Sequence, residues 1–180
     1  GTRIEVITTA TRFPDVVGKI YIDAFLKLGC DNVGVLPIQE PADAAKPDYL
    51  ERLRMANCIM LSGGDQVLLP RVLSGTEALH VIRSRYEQEE KFLISGTSAG
   101  AMALSGMMIS GSLERDPLLK GTVHLMPGLD LLDQIIIDTH FVNRRRIPRL
   151  IEAVAAMPTH IGIGLGEDTA ILIRQNSYIE

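Results

Sequence analysis

Short β-branched runs alternate with helical stripes along nearly the whole chain, and this alternation restricts the fold more than any other feature. Residues 3–9, RIEVITT, are β-branched and end at a polar turn. Residues 15–28 set Val16, Val17, Ile20, Tyr21, Ala24, Phe25 and Leu28 on one helical stripe, and Gly29 is placed to stop the helix. Further strands are predicted at 33–36, 58–61, 92–95, 107–109, 135–137, 161–165 and 170–173, and helices at 47–55, 66–73, 76–91, 99–104 and 144–156. Short buried strands between amphipathic helices imply a mostly parallel sheet covered on both faces. The expected fold is therefore α/β, a three-layer αβα sandwich formed by one domain over residues 1–180. In such sheets the active residues gather just beyond the carboxyl ends of the strands.

Composition narrows the function classes. A net charge of −4 argues against a domain that binds nucleic acid by counterion release. Cys30 and Cys58 have no metal-ligand spacing and read as buried small hydrophobes in a reducing compartment. No apolar run approaches the roughly 20 residues of a membrane helix. A cytoplasmic location is expected, with a secreted form as the alternative because the chain begins abruptly at Gly1.

Gly96-Thr97-Ser98-Ala99-Gly100 matches G-x-S-x-G between an apolar strand and a helix. A sharp turn there lifts the serine hydroxyl out of the sheet, and the following helix start aims N–H groups at an oxyanion. A second glycine turn, Ser62-Gly63-Gly64-Asp65-Gln66, follows another strand. If the two strands are neighbours, the Gly64 and Ala99 N–H groups form the oxyanion pair; the local alternative is a tight turn capped by Asp65.

A serine nucleophile needs a base and a group to orient it. His80 falls in a charged helix, and His124 lies among turn signals. His140 stands at the carboxyl end of a strand and His160 at the amino end of the next, which favours His140. For the acid, Asp138 and Glu167 both remain open; Glu167 follows its strand on the edge expected for Ser98 and His140. Pairing Ser98 with Asp138 and His160 instead gives the chain order of an α/β-hydrolase. Arg144, Arg145, Arg146 and Arg149 follow the favoured base. Such a run is usually a solvated helix face or a patch for polyanions, but in an acidic protein and beside that histidine a carboxylate-rich substrate would explain it. The run Gly162–Gly166 lacks the rest of a dinucleotide loop and reads as a strand with small residues.

Taken together, SGGDQ, GTSAGA, ID-x-HF with RRRIPRL, and GIGLGEDTA resemble, in this order, the motifs of the cyanophycinases. These are serine peptidases related to aspartyl dipeptidases and, by fold, to class I glutamine amidotransferases, a flavodoxin-like architecture. The resemblance implies Ser98 as nucleophile, His140 as base, Glu167 as its acid, and Gly64 and Ala99 as oxyanion donors. It implies a substrate pocket lined by Gln66, Thr97, Asp138, Thr139, Arg144, Arg146 and Arg149, with no metal or cofactor. The implied substrate is cyanophycin, a polyaspartate carrying arginine on each side chain, cleaved to β-aspartyl-arginine. The expected partners are that peptide and a second copy of the chain, with neither nucleic acid nor membrane. Thr139 stands where the family motif has glutamine, so dipeptide selectivity is expected to differ. The chain is also expected to lack the family's first strand and its C-terminal end. The rival functions are an α-aspartyl dipeptidase and a non-catalytic aspartyl-peptide-binding protein.

Overall fold

The computed structural model describes residues 1–112 and 122–174 and the backbone of 178 and 179. The chain divides into two compact units, Gly1–Gly100 and Ala101–Glu180.

In the first unit, β1 (Ile4–Ile7), β2 (Val33–Leu36), β3 (Cys58–Leu61) and β4 (Leu93–Gly96) form a four-stranded parallel sheet in the order β2-β1-β3-β4. Its helices are α1 (Pro14–Lys27), α2 (Pro47–Met55), α3 (Leu68–Leu73) and α4 (Glu77–Gln88), with a 3-10 turn at Asp43–Ala45. Proline opens both α1 and α2, where its missing N–H costs nothing. Thr76 caps α4 by accepting the Leu79 N–H at 3.4 Å.

Consecutive residues of β2 show that helices cover both faces. Val35 faces Gly18 of α1, while Gly34 faces Arg52 of α2 together with Glu5 of β1. Ile7, Leu36, Ile59 and Leu61 are fully buried between the layers, each worth about 1.5–3 kcal/mol. Glu5 is 1% exposed and is held by Arg52 Nη2 at 2.5 Å and by Arg3 Nε at 2.8 Å. This pair occupies the space that a Gly34 side chain would take.

The α1 stripe differs from expectation. Its sheet-facing side runs through Val17, Gly18, Tyr21 and Phe25, leaving Val16, Ile20 and Leu28 exposed. Gly18 is the reason, because a Cβ there would meet both Val35 methyls at 2.9 Å, so the helix rolls to bring its glycine onto the sheet.

The chain passes between the units within α5 (Ala99–Ala103). The second unit pairs β5 (Met107–Ser112) with β6 (Val123–Pro127) antiparallel, and β7 (Ile135–Asp138) with β8 (Ile161–Gly164) parallel. Strand β6, an unexpected element, has only one β-branched residue and is held by its pairing with β5, which contains a bulge between Ile109 and Gly111. Helix α6 (Ile147–Ala156) contributes Leu150 and Ala153 to a core with Met102, Ile109 and Ile136. β9 (Ile173–Arg174) and β10 (Tyr178–Ile179) form a short antiparallel pair. Among the described residues, no helix is long and apolar enough to cross a membrane.

Candidate active site

Two turns leave the first unit's sheet side by side, because β3 and β4 pair with Leu61 opposite Gly96. The Thr97 N–H extends the ladder by donating to Leu61 O at 3.0 Å. Ser98 then takes φ 51, a left-handed conformation that costs a residue with a Cβ about 1–2 kcal/mol. The turn is closed by the Gly100 N–H on Thr97 O at 2.9 Å. It also depends on Gly100 having no side chain, since a Cβ there would lie 2.8 Å from the Leu61 carbonyl carbon and Cβ. Ser98 is half-buried, Thr97 is exposed and Ala99 is 1% exposed. Gly100 is where the small residues of the elbow let strand and helix approach closely.

The second glycine turn touches the first. A Cβ on Gly63 would lie 3.5 Å from Thr97 O and 3.7 Å from Ser98 Cβ. Gly64 has φ 146, and a Cβ on it would fall 2.6 Å from the Ala10 carbonyl carbon, so only glycine fits. The Asp65 N–H donates to Ala10 O at 2.8 Å, and Asp65 Oδ1 accepts the Val67 N–H at 3.0 Å. Asp65 thus caps this turn, and Gln66 sits half-buried within it.

In the second unit, β7 and β8 end together, with Asp138 opposite Gly164. The loops beyond them bring His140 Nδ1 to 2.6 Å from Glu167 Oε1. Their side chains are 27% and 46% exposed, so a ligand can reach the pair. His140, like Ser98, has positive φ, here 51. Its loop is held by the Phe141 N–H on Leu165 O at 3.0 Å and the Arg144 N–H on His140 O at 2.9 Å. The glycine run is strand, as expected, and its small residues have partners. A Cβ on Gly164 would strike the Phe141 ring, and one on Gly162 would meet Val154 at 2.7 Å.

Asp138 is fully buried, so it does not face an open pocket. Arg149 donates to it from Nε at 2.6 Å and also from Nη2, and Arg146 Nη1 reaches it at 3.4 Å. Arg146 Nη1 also donates to Thr139 O at 2.8 Å. Burial, together with the Arg149 charge, lowers the Arg146 pKa below the ordinary arginine value. Thr139 is 5% exposed, with its hydroxyl 3.5 Å from Met102 Sδ. Arg144 and Arg145 are exposed. The α/β-hydrolase grouping fails on this geometry: Asp138 is taken by Arg149, and His160 lies at the opposite end of the β7–β8 pair. Of the other histidines, His80 is exposed on α4 and His124 is exposed on β6.

A left-handed serine turn flanked by glycines, and a histidine held by a carboxylate at its Nδ1, are the parts used by serine-type hydrolases. The chain belongs to peptidase family S51, whose sequence profile it matches over residues 4–180. It is 38% identical over 169 residues to the cyanophycinase of Synechococcus elongatus, covering 94% of this chain and 52% of that protein. Over 177 residues it is 35% identical to the cyanophycinase of Trichormus variabilis and 33% identical to that of Geminocystis herdmanii. Both of those matches cover 98% of this chain, and they cover 59% and 65% of the relatives. The chain thus spans about half to two thirds of their length.

Among solved structures it is similar to a peptidase from an acI-B1 Actinobacterium, with a TM-score of 0.69 and 26% identity over 96% of this chain and 70% of that one. The fold is also shared with a putative peptidase E protein from Listeria monocytogenes EGD-e, with a TM-score of 0.63 and 22% identity over 100% of this chain and 85% of that one.

Proposed function

We propose that the protein is a serine exopeptidase that hydrolyses cyanophycin to β-aspartyl-arginine. The observation that carries this reading is the 2.6 Å contact between His140 Nδ1 and Glu167, which leaves Nε2 as the proton-accepting edge of the imidazole. Similarity to three cyanophycinases over nearly the whole chain supports the substrate.

Ser98 Oγ attacks the scissile carbonyl carbon as its proton passes to His140 Nε2, and Glu167 stabilises the resulting imidazolium. The oxyanion is met by the Gly64 and Ala99 N–H groups. Collapse breaks the C–N bond, and the proton moves from His140 to the departing amine. Water, deprotonated by His140, then cleaves the acyl-enzyme ester and restores Ser98. Gln66, Thr97 and Arg144 contact the substrate, with Arg144 taking a carboxylate. The reading includes a homodimer in the cytoplasm; two free cysteines support a reducing compartment.

The test is chromatographic analysis of products from cyanophycin incubated with the purified protein and with Ser98→Ala. β-Aspartyl-arginine from the first and not from the second supports the reading. Cleavage of α-aspartyl dipeptides without release from the polymer would replace it with the dipeptidase. Tight binding of aspartyl peptides without turnover would replace it with a binding protein.

A further inference from the structure

The arginines that follow His140 do not share one job. Arg144 and Arg145 are exposed, whereas the side chains of Arg146 and Arg149 are 16% and 13% exposed and turn inward. Their target is Asp138, whose carboxylate has no exposure and so does not meet a substrate while the loop keeps this shape.

Both sides of Thr139 are fixed. Its N–H donates to Asp138 Oδ1 at 2.9 Å, and its carbonyl accepts Arg146 Nη1 at 2.8 Å. That carbonyl belongs to the peptide bond leading into His140, so its direction sets where the left-handed turn begins. Asp138 is anchored in turn by two donors from Arg149, on helix α6. Its own backbone carbonyl accepts the Leu165 N–H at 2.8 Å, two residues before Glu167. A single residue thus ties the arginine clamp, the His140 turn and the strand end that leads to Glu167.

We propose that Asp138, Arg146 and Arg149 are positioning residues that hold His140 in register with Glu167, rather than groups that grip the substrate. This rests on the proposed peptidase reading for its kinetic consequence, though not for its geometry. Misplacing a catalytic group by about 1 Å costs on the order of 100-fold in rate, and uniform loss of ground-state binding appears in KM instead.

The test compares Arg146→Gln, Arg146→Lys and Asp138→Asn with wild type in two measurements. The first is kcat and KM on soluble β-aspartyl-arginine oligomers. The second is the proton NMR signal of the His140 Nδ1–H, assigned by its loss in Glu167→Ala. Arg146→Gln is expected to lower kcat by about 10- to 100-fold, with KM held within about twofold, and to weaken or shift the N–H signal. Arg146→Lys, which keeps a charged donor, is expected to recover much of both. A raised KM with kcat and the N–H signal unchanged would overturn the proposal in favour of direct substrate contact. If the protein hydrolyses no aspartyl peptide, the peptidase reading fails by itself, and the N–H signal decides. Unmoved in both Arg146→Gln and Asp138→Asn, it overturns the clamp; moved, it upholds it.

Discussion

Replacing Gly100 by alanine tests the elbow through one methyl group. The new Cβ would sit 2.8 Å from the Leu61 carbonyl carbon and Cβ, about 0.6 Å inside ordinary carbon contact, and closer still to the Leu61 oxygen. Leu61 cannot yield easily, because it ends a strand paired with β1 on one side and β4 on the other. The start of α5 must therefore retreat by roughly 1 Å, taking Ser98 and the Ala99 N–H with it. Overpacking of this kind costs about 1–3 kcal/mol, offset by up to about 1 kcal/mol because alanine is the better helix former. The melting temperature is thus expected to fall by no more than about 12 °C. Activity is the sharper readout, with an expected loss of about 100-fold.

Gly75→Ala is the matched control. Gly75 has φ 74 with open space around it, so this variant loses about 1–2 kcal/mol to backbone strain and retains its turnover. The assay is β-aspartyl-arginine release beside a thermal melt. Gly100→Ala retaining activity within twofold of wild type would refute the packing argument.

Other consequences are independent of the elbow. Glu5→Leu strands the Arg52 charge and is expected to cost about 3–5 kcal/mol in urea unfolding, toward the lower end because Arg52 is 28% exposed. The double variant with Arg52→Leu should recover part of that loss. Burial raises the Cys58 thiol above its ordinary value of 9.0, with the Ser95 hydroxyl opposing the shift. One thiol, Cys30, should therefore react with a thiol reagent in the native protein, and both after unfolding. The unfolded thiol ionises first, so stability is intact below pH 9.0 and declines as the pH rises through the folded value; Cys58→Ala should flatten that alkaline limb. Arg144→Ala is expected to raise KM for aspartyl peptides with little change in kcat.

The sequence described strand positions and polarity better than it described faces. Strands β2 and β3 and helix α2 occupy the expected residues, since their apolar runs are short and bounded by turn or proline signals. The choice of His140 over His160 followed from strand direction alone, and the parallel β7–β8 register puts the two at opposite ends. Strand β6 escaped because its stability comes from β5, whose paired residues lie 11 to 20 positions earlier in the chain, rather than from its own residues. The α1 face was misread because hydrophobicity marks large side chains, while the closest contact is made by Gly18. The arginine run looked uniform for a related reason. Which guanidinium groups turn inward depends on the buried Asp138, eleven residues before Arg149, and burial of that kind is a property of the packed unit.

The central claim is that Ser98 becomes a nucleophile through His140 held by Glu167. Its most direct test is peptide mass mapping of the purified protein after reaction with a fluorophosphonate, repeated on His140→Ala. The account predicts one adduct, on Ser98, that disappears in the variant. Modification at another residue, or of Ser98 at an undiminished rate without His140, would contradict it.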